Sequence, residues 1–164
     1  MTIKVHGVLH VAMVTEDIER LTDFYVRLFD AEVAKRLELT TPCFGAGVGV
    51  PGATATTVHL RIPGAQTVLE LTQYDRHVRA GTTPAPSNTT GLRHVALAVA
   101  DIAAAAAELR DQQVEVVGGP VEVDAPAAAR GVKFLYLRDP DGNLVELIEP
   151  PTAPPHSPRR SNRA

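Results

Sequence analysis

Apolar and polar residues alternate over residues 7–15 and then give way to three-and-four spacing, which predicts a strand followed by a helix. Thr15 or Asp17 can cap that helix, and Glu16 and Asp17 favour its positive end. Ile18, Leu21, Tyr25, Leu28 and Phe29 recur on one helical face, opposite Glu19, Arg20, Asp23 and Arg27. Phe24 and Tyr25 read as core residues. Residues 31–39 alternate weakly as a second strand. Residues 40–56 are rich in Gly, Ala and Thr, carry Pro42 and Pro51, and read as a long loop with room for one strand. Residues 57–62 alternate cleanly, and Pro63-Gly64 turns the chain into residues 67–72 as a hairpin.

The pattern then starts again. Gly91-Leu92-Arg93-His94-Val95-Ala96 repeats Gly7-Val8-Leu9-His10-Val11-Ala12, and Asp101-Ile102 repeats Asp17-Ile18. Asp101 caps an Ala-rich helix running from Ile102 to about Gln112. Residues 113–117 read as a strand, Gly118-Gly119-Pro120 as a turn, and residues 121–123 as another strand. Residues 131–137 then pair with residues 144–148 across Asp139-Pro140-Asp141-Gly142, where Pro fixes φ and Gly supplies a positive φ. Each half is a strand, a helix and three strands, with 113–117 and 121–123 taken together in the second. The expected organisation is a first module over 1–78, a linker over 79–90, a second module over 91–150 and a tail over 151–164. The tail, rich in Pro and carrying Arg159, Arg160 and Arg163, has too little apolar surface to fold and is expected to be disordered.

Composition narrows the function. The net charge of −3 gives no basic field for nucleic acid. No apolar run approaches the ~20 residues a membrane helix needs. Residues 1–6 do not form a signal peptide, and the single Cys43 cannot make an internal disulfide, so a cytoplasmic location is expected. With no acid or base beside it in sequence, Cys43 is not read as a nucleophile.

The chemistry lies in what the repeat carries. Each half begins on a strand with a His (His10, His94) and ends on a strand with a Glu (Glu70 in Val68-Leu69-Glu70-Leu71, Glu146 in Leu144-Val145-Glu146-Leu147). A carboxylate in so apolar a strand costs several kcal/mol, by order of magnitude, unless it is paired. Finding both oddities twice, in register, points to ligands. If the two sheets curl toward each other, His10, Glu70, His94 and Glu146 converge as an open two-nitrogen, two-oxygen site for a divalent transition metal: Zn, Mn, Co, Ni or Fe(II). Glu149, the rival of Glu146, falls on the opposite strand face and is expected to have no partner in the first half. His59 and Arg61 share one strand face and are candidate substrate contacts, the alternative being solvated edge residues. Tyr136 is a further candidate near the substrate.

Leu9-His10-Val11, Asp17-Ile18 with Phe24-Tyr25, Arg93-His94-Val95-Ala96 and the run from Leu137 to Leu147 resemble the vicinal oxygen chelate superfamily. That group includes glyoxalase I, methylmalonyl-CoA epimerase, extradiol dioxygenases, fosfomycin-resistance enzymes and bleomycin-binding proteins. The resemblance covers about residues 5–150. It implies an α+β fold of two paired βαβββ modules, with curled mixed sheets forming a cleft floored by the metal. The order His, Glu, His, Glu is similar to the ligand set of bacterial glyoxalase I, whereas epimerases of the methylmalonyl-CoA type usually have Gln where this chain has Glu70. Asp30 stands where a Gly commonly follows the first helix, and residues 40–56 do not resemble a glutathione-contacting segment.

Such a site favours an epimerase or isomerase. A metal polarises the carbonyl of a substrate with neighbouring oxygens, and a carboxylate, Glu70 or Glu146, removes the adjacent proton to give an enediolate. A sugar- or cyclitol-like hydroxy ketone fits best; an acyl thioester or a glyoxalase-type hemithioacetal is the other substrate class. Two alternatives share the fold: a small-molecule-sequestering resistance protein, and an Fe(II) extradiol-type dioxygenase. The partners expected are a small-molecule substrate and a second copy in a homodimer, with no nucleic acid and no membrane. The modules can pair within one chain or across the dimer.

Overall fold

The structure, a computed structural model, describes residues 2–77 and 84–151. The tail assigned to 151–164, apart from Pro151, and part of the linker assigned to 79–90 lie outside the described residues. The chain forms two compact units, Met1–Ala85 with Asp139–Gly142, and Pro86–Arg138 with Asn143–Ala164. The turn Asp139–Gly142 therefore groups with the first unit although it connects two strands of the second.

In the first unit, strand β1 (His10–Val14) leads to helix α1 (Ile18–Phe29), then β2 (Glu32–Leu39), a short helix α2 (Pro42–Gly47), β3 (Ala55–Arg61) and β4 (Val68–Tyr74). The sheet order is β1-β4-β3-β2, with β1 parallel to β4 and the remaining pairs antiparallel. Asp17 is the helix cap, accepting from the Arg20 amide, while the buried Thr15 hydroxyl holds the turn before it through the backbone of Asp17. Ile18, Leu21, Phe24 and Tyr25 are the buried face of α1, which packs on β3 and β4. Alternation then divides β4: Leu69 and Leu71 are buried in the core, and Glu70 and Thr72 point to the other face. Asp30 ends α1 in the left-handed region at φ 52°, a conformation Asp tolerates better than most residues, which accounts for its presence where a Gly is usual.

Helix α2 corrects the expectation of a loop with one strand over residues 40–56. Its sequence, Pro-Cys-Phe-Gly-Ala-Gly, has poor helix propensity, but Pro42 suits the first turn and Phe44 stacks on Tyr74 with ring centroids 5.8 Å apart. Cys43 is exposed there, its sulfur 2.9 Å from the Thr41 hydroxyl.

The second unit repeats the plan with β5 (His94–Ala98), α3 (Ile102–Asp111), β6 (Val116–Glu122), β7 (Lys133–Arg138) and β8 (Leu144–Glu149), in the order β5-β8-β7-β6. Again the first strand runs parallel to the last. Asp101 caps α3, accepting from the amides of Ala103 and Ala104. Helix α3 packs on β6, β7 and β8 through Ile102, Ala106 and Leu109. The expected turn at Gly118-Gly119-Pro120 is instead part of β6. This is an edge strand, where a missing Pro amide is tolerated, and its register slips on both sides of Gly118. A Cβ on Gly119 would lie 2.7 Å from the Phe134 carbonyl oxygen, at φ 95°, so β6 reaches β7 there only as Gly.

One pair of residues shows how far the repeat extends. The Ile18 amide donates to the Gln73 side chain at 2.9 Å, and the Ile102 amide donates to the Glu149 carboxylate at 2.8 Å. This corrects the expectation that Glu149 has no partner in the first half: its counterpart is Gln73, an amide in place of an acid, and both tie a helix start to the last strand of their module. The Ile102 amide, and after it the Lys133 ammonium 2.7 Å away, holds the Glu149 carboxyl below its ordinary value. A depressed carboxylate adds stability that is present above the unfolded value, near pH 4.5, and is lost as the pH falls through the folded value. Glu149→Ala should therefore lower the thermal midpoint more at pH 7 than at pH 3. Midpoints followed by circular dichroism at the two pH values check this. An equal drop at both would mean that the charge of Glu149 contributes nothing.

Among the described residues no helix is long and apolar enough to cross a membrane.

Candidate metal and substrate site

The face of each sheet opposite its helix carries the predicted ligands. In the first unit Ala12 stands beside Glu70 and His10 beside Val68 in the parallel register of β1 and β4. His10 and Glu70 therefore lie diagonally on one face, with the small Ala12 leaving room between them. In the second unit Ala96 stands beside Glu146 and His94 beside Leu144, which is the same register. The two modules thus present the same His–Glu diagonal.

The side-chain geometry agrees within each unit. His10 Nδ1 lies 3.9 Å from Glu70 Oε2, and His94 Nε2 lies 3.3 Å from Glu146 Oε2. Both His side chains are exposed and both carboxylates are only partly so, at 20 % and 14 %. Two donors sharing one ion at about 2.1 Å stand roughly 3.0–3.4 Å apart, for octahedral to tetrahedral angles. The second pair is already in that range and the first needs a small side-chain rotation. Imidazole nitrogen with carboxylate oxygen is also the donor chemistry that Zn, Mn, Co, Ni and Fe(II) accept. Each pair by itself therefore offers two donors at or near a spacing, and of a chemistry, that such an ion accepts. Among the described residues no three His, Cys, Asp or Glu side chains form a ready-made metal group.

The other predicted residues divide. His59 faces Glu70 directly across β3 and β4, with Nε2 2.9 Å from Glu70 Oε2. It sits within the sheet and is largely buried, so it is not a solvated edge residue. Arg61 shares that strand face by alternation but is exposed at the end of β3. Tyr136 faces Glu146 across β7 and β8, the place His59 takes in the first module. Burial first, then the charge and hydrogen bond of Glu146, push the Tyr136 hydroxyl above its ordinary value. Its ring meets His94 edge-on at 5.4 Å.

Sequence reading missed the groups behind Glu70. Glu70 Oε1 accepts from the Thr72 hydroxyl at 3.4 Å, and Thr72 lies 3.2 Å from the Thr57 hydroxyl, both threonines being buried. Their signal was available, since Thr57, His59 and Arg61 share one strand face and Glu70 and Thr72 share another.

The helix faces hold a different polar contact. The buried Tyr25 hydroxyl donates to Asp139 Oδ2 at 3.1 Å, and Arg20 pairs with Asp141. Burial and then Asp139 raise the Tyr25 hydroxyl well above its ordinary value. It is a neutral donor that fixes the Asp139–Gly142 turn.

Comparison with known proteins adds a family. A sequence model of the Glyoxalase/Bleomycin resistance protein/Dioxygenase superfamily matches residues 7–147. The chain is 34 % identical over 154 residues to a 2-epi-5-epi-valiolone epimerase from an Actinomyces species, covering 91 % of this chain and 82 % of that protein. Among solved structures, a glyoxalase family protein from Bacillus cereus aligns with a TM-score of 0.78 at 21 % identity, over 90 % of this chain and 96 % of that one. The trypanothione-dependent glyoxalase I of Leishmania major aligns with a TM-score of 0.58 at 22 % identity, over 88 % and 87 %. At these identities the two structures speak for the fold alone.

Proposed function

The chain belongs to the glyoxalase/bleomycin resistance protein/dioxygenase superfamily, and we propose that it is a divalent-metal-dependent epimerase acting on a cyclitol-like hydroxy ketone. The observation that carries this reading is the His–Glu diagonal, present in the same register on the last and first strands of both modules. The similarity to a 2-epi-5-epi-valiolone epimerase favours a ketone of that class over a thioester or a hemithioacetal.

His10, Glu70, His94 and Glu146 would hold the ion, each module contributing one imidazole and one carboxylate, in one chain or between two copies of a homodimer. When bound, such an ion supplies Lewis-acid polarisation of a ketone, which acidifies the neighbouring C–H. The remaining work belongs to the chain. One of the two carboxylates takes the proton from the carbon beside the carbonyl, and a proton returned to the opposite face inverts that carbon. Glu70 and Glu146 suit this task because each is a partly exposed carboxylate beside the His of its own module. Arg61, exposed on the same face as His59, is available to a substrate hydroxyl.

Metal titration tests the ligand set. Four ligands per chain predict one tightly bound ion per chain, whether the modules pair within a chain or across a dimer. His10→Ala and His94→Ala should each lower that occupancy, measured by elemental analysis after dialysis. Stripping the ion with a chelator should abolish epimerisation of 2-epi-5-epi-valiolone, and adding it back should restore the activity. Two ions per chain would make the pairs separate sites. Full turnover after verified stripping would remove the metal from the reaction.

A further inference from the structure

The repeat makes Glu70 and Glu146 equivalent in register, but their surroundings are not. Facing Glu70 is His59, and beside that row Thr57 faces Thr72. Facing Glu146 is Tyr136, and beside it Phe134 faces Ile148. A polar pair in one module is an apolar pair in the other. Glu70 consequently has polar groups at both carboxylate oxygens: Oε2 lies 2.9 Å from His59 Nε2, and Oε1 accepts from Thr72, itself in contact with Thr57. Oε2 is also the oxygen nearest His10. The His59 imidazole is within the sheet and only 16 % exposed, so its position is set by packing.

From this geometry we propose that His59 is a positioning residue, holding the Glu70 carboxylate in the orientation that offers Oε2 to the metal, and is not a substrate contact. The inference rests on Glu70 being a ligand. An imidazole nitrogen 2.9 Å from one carboxylate oxygen restricts rotation about the last side-chain bond, and the Thr72 hydroxyl restricts the other oxygen. A ligand held this way loses less freedom on binding, so metal affinity rises. Outer partners of metal ligands usually change affinity by about 10–100-fold when removed. The second module reaches the same end by a different bond, from the Tyr136 hydroxyl, so the effect of His59 is confined to one half of the site.

The experiment measures Zn2+ affinity by competition with a chromophoric chelator in the parent, Glu70→Ala, His59→Phe and His59→Gln, with the thermal midpoint of each metal-free protein as a control for folding. His59→Phe keeps a ring of similar size without a donor, and His59→Gln restores an amide N–H near the place of Nε2. The expected result is a weakening of about 10-fold or more in His59→Phe, at a near-parental midpoint, with His59→Gln recovering most of the affinity. Should the Phe variant not fold, His59→Leu takes its place. Parental affinity in a folded variant lacking the donor overturns the proposal. So does a loss in His59→Gln as large as that in Glu70→Ala, which would make His59 a ligand itself. Parental affinity in Glu70→Ala would instead remove the metal reading on which the inference stands.

Discussion

Glu70→Gln and Glu146→Gln are each expected to fold like the parent, and at least one should lose about 10²-fold or more in turnover, the usual scale of general-base catalysis. Gln keeps the length of the side chain and one oxygen that can face a metal, but it cannot accept a proton. The variant that loses its rate while still binding Zn2+ identifies the base. The two need not suffer equally, because their neighbours differ: Glu70 has His59 and Thr72, and Glu146 has Tyr136. An epimerase working from two faces also allows one variant to retain solvent exchange from one epimer while failing to complete the inversion. Parental rates in both variants would acquit both carboxylates and make Tyr136 the next candidate for the base. A parent that binds the ketone without turning it over, with affinity alone changed in the variants, would describe a sequestering protein.

Leu71→Ala is expected to produce the opposite signature. Leu71 is fully buried one residue from Glu70, on the face that packs toward α1. Removing its side chain should cost about 2–5 kcal/mol, the range for truncating a buried Leu where the site collapses only partly. The same holds for Leu147, its counterpart beside Glu146. At temperatures where the variants remain folded, their Zn2+ affinity should stay near that of the parent. Period-two alternation is the reason: residues 70 and 71 belong to opposite faces of one strand, so stability and metal binding separate at adjacent positions. Chemical denaturation and chelator competition on the same samples check this. A Leu71→Ala protein that is as stable as the parent but has lost the metal would mean that the faces are assigned the wrong way round.

The parts of this picture legible in the sequence are those the duplication repeats. His10 and His94, Glu70 and Glu146, and the capping residues Asp17 and Asp101 recur within copies of the same strand and helix pattern. A strand period of two then assigns each to a face without any coordinates. Helix α2 was not legible, because its two glycines and one proline read as a loop, and what holds it is Phe44 against Tyr74, a contact between residues thirty positions apart in sequence. The course of β6 was hidden for a related reason. Gly118-Gly119-Pro120 has the chemistry of a turn, and only the close approach of β7 shows why an extended strand uses those residues. The facing of His59 to Glu70 and Tyr136 to Glu146 depends on hairpin register, which one residue of slip would reverse. Gln73 and Glu149 escaped because one is an amide and the other an acid, although both accept from the first amide of their helix.

The most direct test of the central claim is proton exchange. The metal-loaded protein is incubated with 2-epi-5-epi-valiolone in D2O and the product is followed by NMR. The account predicts deuterium from solvent at the carbon beside the carbonyl that is inverted, in the metal-loaded parent and not in the metal-stripped protein. Inversion of that carbon with its original hydrogen fully retained would contradict it, as would exchange that proceeds unchanged when both Glu70 and Glu146 are replaced by Gln.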